Sequence, residues 1–251
     1  MGERRAPLAD AAKVVTSGLL FWGGAQLATT VLGRSETATV AVQAAIAEWG
    51  AGTMGIAWSD PLRPTPSGQA IRARIAYGLG IGFAVAAVVI GTALVTRAAA
   101  VERATPSVSP LVIGLIVGAL AAVRDELLLR GFPLRATRSL VGTPAAIAVC
   151  GGAAAAARLG LDGVLTVGIV AEALRGIALG VLWVWDRGAW IPVAANVAWT
   201  WTTGPITHGG LFDLRFATEV DASAPALAVL SIVAGAAFVW VARRTADGTR
   251  R

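Results

Sequence analysis

The sequence predicts an all-α polytopic membrane protein with seven or eight transmembrane helices. Three observations predict it. Of 251 residues, 56% are hydrophobic and only 14% charged, against about 25% charged in an ordinary soluble domain. The mean hydropathy is +0.69. The 21 basic and 15 acidic residues stand singly or in small groups between apolar runs, several of which reach the ~20 helical residues that a bilayer core of ~30 Å requires. The net charge of +6 has the sign of a nucleic-acid binder, but such binding gathers its basic groups on one polar face. No such face is legible, so the expected partner is the lipid bilayer and not nucleic acid.

The spans follow in order. Residues 14–33 lie between Lys13 and Arg34, and their apolar stretch exceeds the 7–15 residues of a secretory signal core, so they read as an anchor. Residues 38–58 form a weaker candidate that contains Glu48. Residues 75–96 lie between Arg74 and Arg97, and residues 111–123 continue through 127–129 after an acidic interruption. Residues 143–157 are Ala-rich and end at Arg158, while 164–185 carry Glu172 and Arg175. Residues 190–201 are shorter, with Pro192 near their start, and 226–241 stop before Arg243 and Arg244. Ala6 stands where an N-myristoylation signal has Ser or Thr, and the chain lacks a C-terminal prenylation box.

Basic flanks set the expected orientation. Arg4, Arg5 and Lys13 precede the first span, and Arg243, Arg244, Arg250 and Arg251 follow the last. The positive-inside rule makes both ends cytoplasmic, which requires an even number of spans and favours eight. The stretch 60–74, with Pro61, Arg63, Pro64, Pro66, Arg72 and Arg74, reads as a cytoplasmic loop. Trp183, Trp185 and Trp190 bracket Asp186 and Arg187 as an interfacial aromatic belt would. Gly114 with Gly118, and Gly176 with Gly180, have the spacing that lets helices approach closely in lipid; Gly78, Gly80 and Gly82 are a looser set. Lys13 is the lone lysine among the basic residues, a bias that fits a GC-rich bacterial genome and hence a bacterial inner membrane.

Cys150 is the only cysteine and His208 the only histidine. An intramolecular disulfide and a two-histidine zinc helix are both excluded, and no metal or cofactor is expected. Ionisable groups inside a span cost roughly 2.5–3.5 kcal/mol each at mid-helix on insertion scales, so their positions carry the functional signal. Glu126 and Arg130 are four apart, on one helical face, whereas Asp125 points about 100° away from Glu126. Two carboxylates with one arginine leave one available for proton chemistry; a helix end with charges reaching to water is the alternative. Glu172 and Arg175, three apart, read as a satisfied structural pair. Arg158 reads as a favourable charge at a helix C-terminus. Asn196, with Thr200 one turn on, needs hydrogen-bond partners if buried. His208 reads as a loop residue near the interface.

Asp125, Glu126, Leu127, Leu128, Leu129, Arg130 and Gly131 resemble the Glu-Glu-x-x-x-Arg-Gly box of the CAAX-protease-and-bacteriocin-processing (CPBP) intramembrane proteases, also called the Abi family. An apolar helix over 146–158 falls where that family has its Phe-x-x-x-His motif, Gly176 to Gly180 where it has a small-residue stretch, and 191–203 where it has its last His-x-x-x-Asn motif. The resemblance implies three parts: an N-terminal membrane region of two or three spans (1–109), a CPBP-like core (110–203), and a loop, last span and basic cytoplasmic tail (204–251). Asp125 stands for the first Glu of the box, Arg158 at or beside one family histidine, and Asn196 at the other, with Thr200 at the family's Asn.

The resemblance implies an intramembrane endopeptidase similar to CAAX prenyl protease 2. Its substrate would be a membrane-associated protein or peptide, such as a C-terminal tail. Asp125 or Glu126 would activate water, Arg130 would hold Glu126, and Arg158 and Asn196, with Thr200 beside them, would bind the carbonyl oxygen. The missing histidines leave no metal ligands of the kind a metalloprotease needs. Two alternatives stand beside it: a non-catalytic relative that binds a membrane partner or confers immunity, and a small-solute carrier using Glu48, Glu172 and Arg175.

Overall fold

The structure, a computed structural model, describes residues 5–33, 35–59, 66–103, 106–163 and 166–248. Eight α-helices follow in order: α1 (Arg5–Leu32), α2 (Glu36–Thr53), α3 (Gly68–Val95), α4 (Val108–Glu126), α5 (Phe132–Asp162), α6 (Val167–Asp186), α7 (Trp190–Trp201) and α8 (Glu219–Gly248). Strands β1 (Ala99–Glu102) and β2 (Asp213–Phe216) pair antiparallel. The all-α membrane class stands. Arg4, Pro61, Arg63, Pro64, Arg250 and Arg251, on which part of the expected orientation rests, lie outside the described residues, as does Arg34, the expected flank of the first span.

The expectation of seven or eight spans is corrected to four. Among the described residues, four helical segments are long and apolar enough to cross a membrane: Pro7–Leu32, Gly68–Val95, Val167–Asp186 and Val220–Ala246. The reasons are local. Helix α7 has 12 residues, about 18 Å of rise, well short of a ~30 Å core. Helix α4 ends in Arg124, Asp125 and Glu126. Helix α2 carries Glu36 and Glu48 in 18 residues. Helix α5 is two limbs joined at Gly142, whose backbone sits at φ 82° and ψ 168°, a region essentially reserved for glycine. Pro144 then opens the second limb, where a missing N–H costs nothing.

Contacts between helix ends sort the bundle into two poles. The Asp10–Arg135 ion pair, the Ser59–Gly188 bridge and the Arg74–Asp186 ion pair gather the starts of α1 and α3 and the ends of α2 and α6. The β1–β2 pairing gathers the end of α3 and the starts of α4 and α8 at the opposite pole. At Gly142 the chain reverses, and Cys150 on the second limb lies buried beside the Arg130 carbonyl, with Sγ at 3.8 Å.

Small residues set the closest crossings. A Cβ on Gly78 or Gly82 would run into the α7 backbone at Ile191 and Ala195, so this pair, the looser set in the sequence, marks where α3 seats α7. Gly176 faces the Cys150 carbonyl, which seats α6 on α5, and Gly118 lies against Thr200, which seats α4 on α7. The short α7 is thus held between α3, α4 and α6. Its start is also held by Asp186, whose Oδ2 accepts the Ile191 N–H at 3.1 Å.

Candidate active site

Glu126 is the last residue of α4, and its side chain is fully buried. Immediately after it the backbone widens into a single π turn, Leu127–Gly131. Such turns are uncommon and occur mostly as one-turn insertions, often at functional sites. The wider turn places the Arg130 guanidinium over Glu126, with Nη1 3.5 Å from Oε1, and lets the same nitrogen donate to the Asp125 carbonyl at 3.3 Å. Arg130 is also fully buried.

Both Glu126 oxygens are engaged from other helices. Trp183 on α6 donates its indole N–H to Oε2 at 2.9 Å. Asn196 on α7 donates Nδ2 to Oε1 at 2.9 Å. The Asn196 carbonyl oxygen in turn accepts from Arg175 Nη1 at 2.8 Å, and Arg175 pairs with Glu172 at 2.6 Å. A continuous polar chain therefore runs Trp183–Glu126–Asn196–Arg175–Glu172. From Trp183 to Arg175 on α6 it extends about 12 Å along the helix axis. Arg175 also interacts electrostatically with Asp125 and Glu126.

Asp125 occupies a different environment. Its side chain is 18% exposed. Oδ1 accepts from Arg124 Nε at 2.7 Å, and Arg124 Nη1 donates to the Gln43 carbonyl oxygen on α2 at 2.5 Å. Gln43 is itself anchored to the Ala25 carbonyl at 2.9 Å and Thr29 Oγ1 at 2.8 Å on α1. Three arginines, Arg124, Arg130 and Arg175, thus face three carboxylates, Asp125, Glu126 and Glu172. Opposite charges in contact are what make ionisable groups tolerable inside an apolar bundle.

Glu126, Arg130 and Asn196 are brought together by their side chains, and Asp125 joins them through its backbone carbonyl, which accepts from Arg130. Thr200 is one turn beyond Asn196, but its hydroxyl donates back to the Asn196 and Val197 carbonyls at 2.9 and 3.1 Å and spends its proton within α7. Arg158 is exposed near the end of α5. Eight residues, about 12 Å of rise, separate it from Cys150, the α5 residue beside Arg130. It does not join the Glu126 network. His208 is exposed in the loop after α7, with Nδ1 3.0 Å from the Gly204 carbonyl.

Two members of the network carry no clear label in the sequence. Trp183 has the composition of an interfacial belt residue, yet it is buried and points its N–H inward. Arg175 shows an obvious i, i+3 partner in Glu172, but its second bond, to Asn196, crosses between helices. Spacing along one helix cannot reveal either bond; the signal available was the rarity of a polar group in so apolar a segment.

The donor set does not suit a metal. Among the described residues, no group of three or more His, Cys, Asp or Glu is placed to hold one, and both Glu126 oxygens already accept N–H bonds. What the arrangement offers is a partly exposed carboxylate, Asp125, within electrostatic reach of Arg175, which in turn donates to Asn196.

Residues 107–202, which span α4 through α7, match the family model described as type II CAAX prenyl endopeptidase Rce1-like. No curated protein and no solved structure matches the chain. Through this core, which holds the whole Trp183–Glu126–Asn196–Arg175–Glu172 chain, the protein is similar to the type II CAAX prenyl endopeptidase Rce1-like family.

Proposed function

We propose that the chain is an intramembrane endopeptidase that hydrolyses a membrane-associated peptide with a carboxylate-activated water. The observation that carries this reading is the division of labour between adjacent carboxylates. Glu126 is fully buried and bonded on both oxygens. Asp125, one residue earlier, is partly exposed and held by a single arginine. A general base needs reach to its water as well as basicity, and Asp125 has that reach while Glu126 does not.

In this reading Asp125 takes a proton from water as the oxygen attacks the scissile carbonyl. Arg175 and Asn196 supply hydrogen bonds to the oxyanion that forms. Each such donor, pre-positioned, is worth about 3 kcal/mol of barrier. Arg175 stays protonated, so it stabilises charge and moves no proton. Glu126, Arg130 and Trp183 keep Asn196 in place. Thr200 supports α7 against α4. Arg158 would act only through substrate lying at the far pole. Substrate enters from the bilayer or its surface, since the site sits among helices whose outer faces are apolar.

A tagged membrane-anchored substrate expressed with the wild-type chain tests this reading. Asp125→Asn abolishes cleavage if Asp125 is the base; unchanged cleavage in Asp125→Asn removes Asp125 from the chemistry.

A specific observation favours a second reading. Every carboxylate of the cluster already has its arginine, an arrangement that also suits a non-catalytic protein binding a membrane partner. That reading predicts no cleavage by the wild type and an unchanged partner complex in Asp125→Asn.

A further inference from the structure

A basin of about 810 Å³ opens at the pole where α2 and α6 end and α5 begins. Three arginines line it, Arg135 and Arg138 from the first limb of α5 and Arg187 from the end of α6, together with Ser59 and Ser139. No acidic side chain is among the described residues lining it. Arg138 donates Nε to Thr143 at 3.0 Å, which uses one of the five N–H donors of a guanidinium. Arg135 pairs with Asp10 at 2.8 Å, both side chains being more than two-fifths exposed, a setting in which ion pairs are weak and readily exchanged. The rest of the wall is mostly apolar, with Ile56, Leu134 and Val184 beside Gly131 and Trp183 of the candidate site.

The level of the basin identifies its surroundings. Trp190 donates to Ser59 Oγ at 3.0 Å and packs on Trp58 with ring centroids 4.8 Å apart. Tyr77 packs on Trp185 at 5.3 Å. Paired aromatics with polar tips mark the headgroup level of a bilayer. The basic residues Lys13, Arg72 and Arg74 lie within the first three turns of α1 and α3, which start at this pole, and basic flanks mark the leaflet facing the cytoplasm.

We propose that this basin binds the phosphate headgroup of an anionic phospholipid of that leaflet. Arg135 and Arg138 supply guanidinium forks to the phosphate oxygens, a geometry for which arginine is well shaped. Ser59 and Ser139 supply hydroxyls, and the apolar wall takes the glycerol and the first acyl carbons. Basic pockets between helices at the cytoplasmic side recognise anionic headgroups on the same principle. A free phosphate would occupy only a small part of the volume and would leave the apolar wall wet. The basin borders the Glu126 network through Gly131 and Trp183, but lipid binding by its arginines does not require that the chain cleave peptides.

The test uses the purified full chain in neutral detergent with equal amounts of phosphatidylglycerol and phosphatidylcholine of the same acyl chains, with bound lipid counted by native mass spectrometry. The wild type retains phosphatidylglycerol in preference. Arg138→Gln lowers that preference about fivefold, and Arg135→Gln with Arg138→Gln lowers it about 25-fold. Arg243→Gln with Arg244→Gln, on the exposed end of α8, leaves it unchanged. Equal retention of the two lipids by the wild type overturns the proposal, as does an unaltered preference in a double variant that melts at the wild-type temperature. Displacement of phosphatidylglycerol by millimolar glycerol phosphate, with no lipid retained, overturns it in favour of a soluble phosphate site.

Discussion

Asn196 is clamped between two charges of opposite sign: its Nδ2 donates to Glu126 Oε1 at 2.9 Å and its Oδ1 accepts from Arg175 at 2.8 Å. The bonds fix which end of the amide is which, because only the nitrogen donates to a carboxylate and only the oxygen accepts from a guanidinium. They also join α4, α6 and α7 through one side chain. Asn196→Leu, similar in size, strands both partners inside the bundle. An unsatisfied buried group costs about 1–3 kcal/mol, more when charged, so thermal unfolding in detergent shifts to a lower temperature by at least that equivalent. Asn196→Leu melting like the wild type would show that the clamp contributes nothing.

Trp183 holds the other Glu126 oxygen. Trp183→Phe keeps an aromatic ring but removes the N–H, and the expected loss is about 1–3 kcal/mol. Trp185→Phe, on a neighbouring exposed residue, changes stability by no more than about 0.5 kcal/mol. Equal effects of the two, measured side by side in chemical unfolding, contradict the inward role assigned to Trp183.

Glu126 and Arg130 are both fully buried, so breaking their pair leaves an uncompensated charge. Either Glu126→Gln or Arg130→Met alone is expected to cost about 3–5 kcal/mol. The double variant recovers much of that loss, because both charges leave the bundle together. A double variant with a loss equal to the sum of the two singles would show that the residues are uncoupled across the π turn.

The corner at Gly142 is where the two limbs of α5 reverse. Its φ of 82° and ψ of 168° admit glycine with little competition, and a residue forced there costs about 1–3 kcal/mol. Gly142→Ala therefore unfolds at a lower temperature, whereas Gly152→Ala, in open space on the second limb, is tolerated. The reverse order would refute the corner.

The helices were legible because apolar runs and charge breaks mark them. Residues 190–201, bounded by Trp190 and Trp201, coincide with α7. The span count was not legible, because a charged or short helix can be buried by its neighbours instead of by lipid. The first-box residues Asp125, Glu126 and Arg130 stood out through local spacing. The π turn did not, since the widening of one turn leaves no mark in a run of leucines. The inward bonds of Trp183 and Arg175 depend on how α4, α6 and α7 cross, and that crossing is set by glycines whose weight cannot be ranked from spacing alone. Gly78 and Gly82 made a close backbone seat from the least conspicuous set. Arg158, placed by motif order beside the site, lies exposed toward the far end of its helix.

In the proposed mechanism Asp125 activates water while Glu126 holds the frame. The most direct test of this mechanism is hydrolysis of a membrane-anchored reporter peptide by the purified chain in liposomes, comparing wild type with Asp125→Asn. The wild type is expected to release the product. Asp125→Asn, which keeps its size and melts within a degree or two of the wild type because its side chain is partly exposed, is expected to lose at least about a hundredfold in rate. Equal rates for the two proteins would contradict the claim.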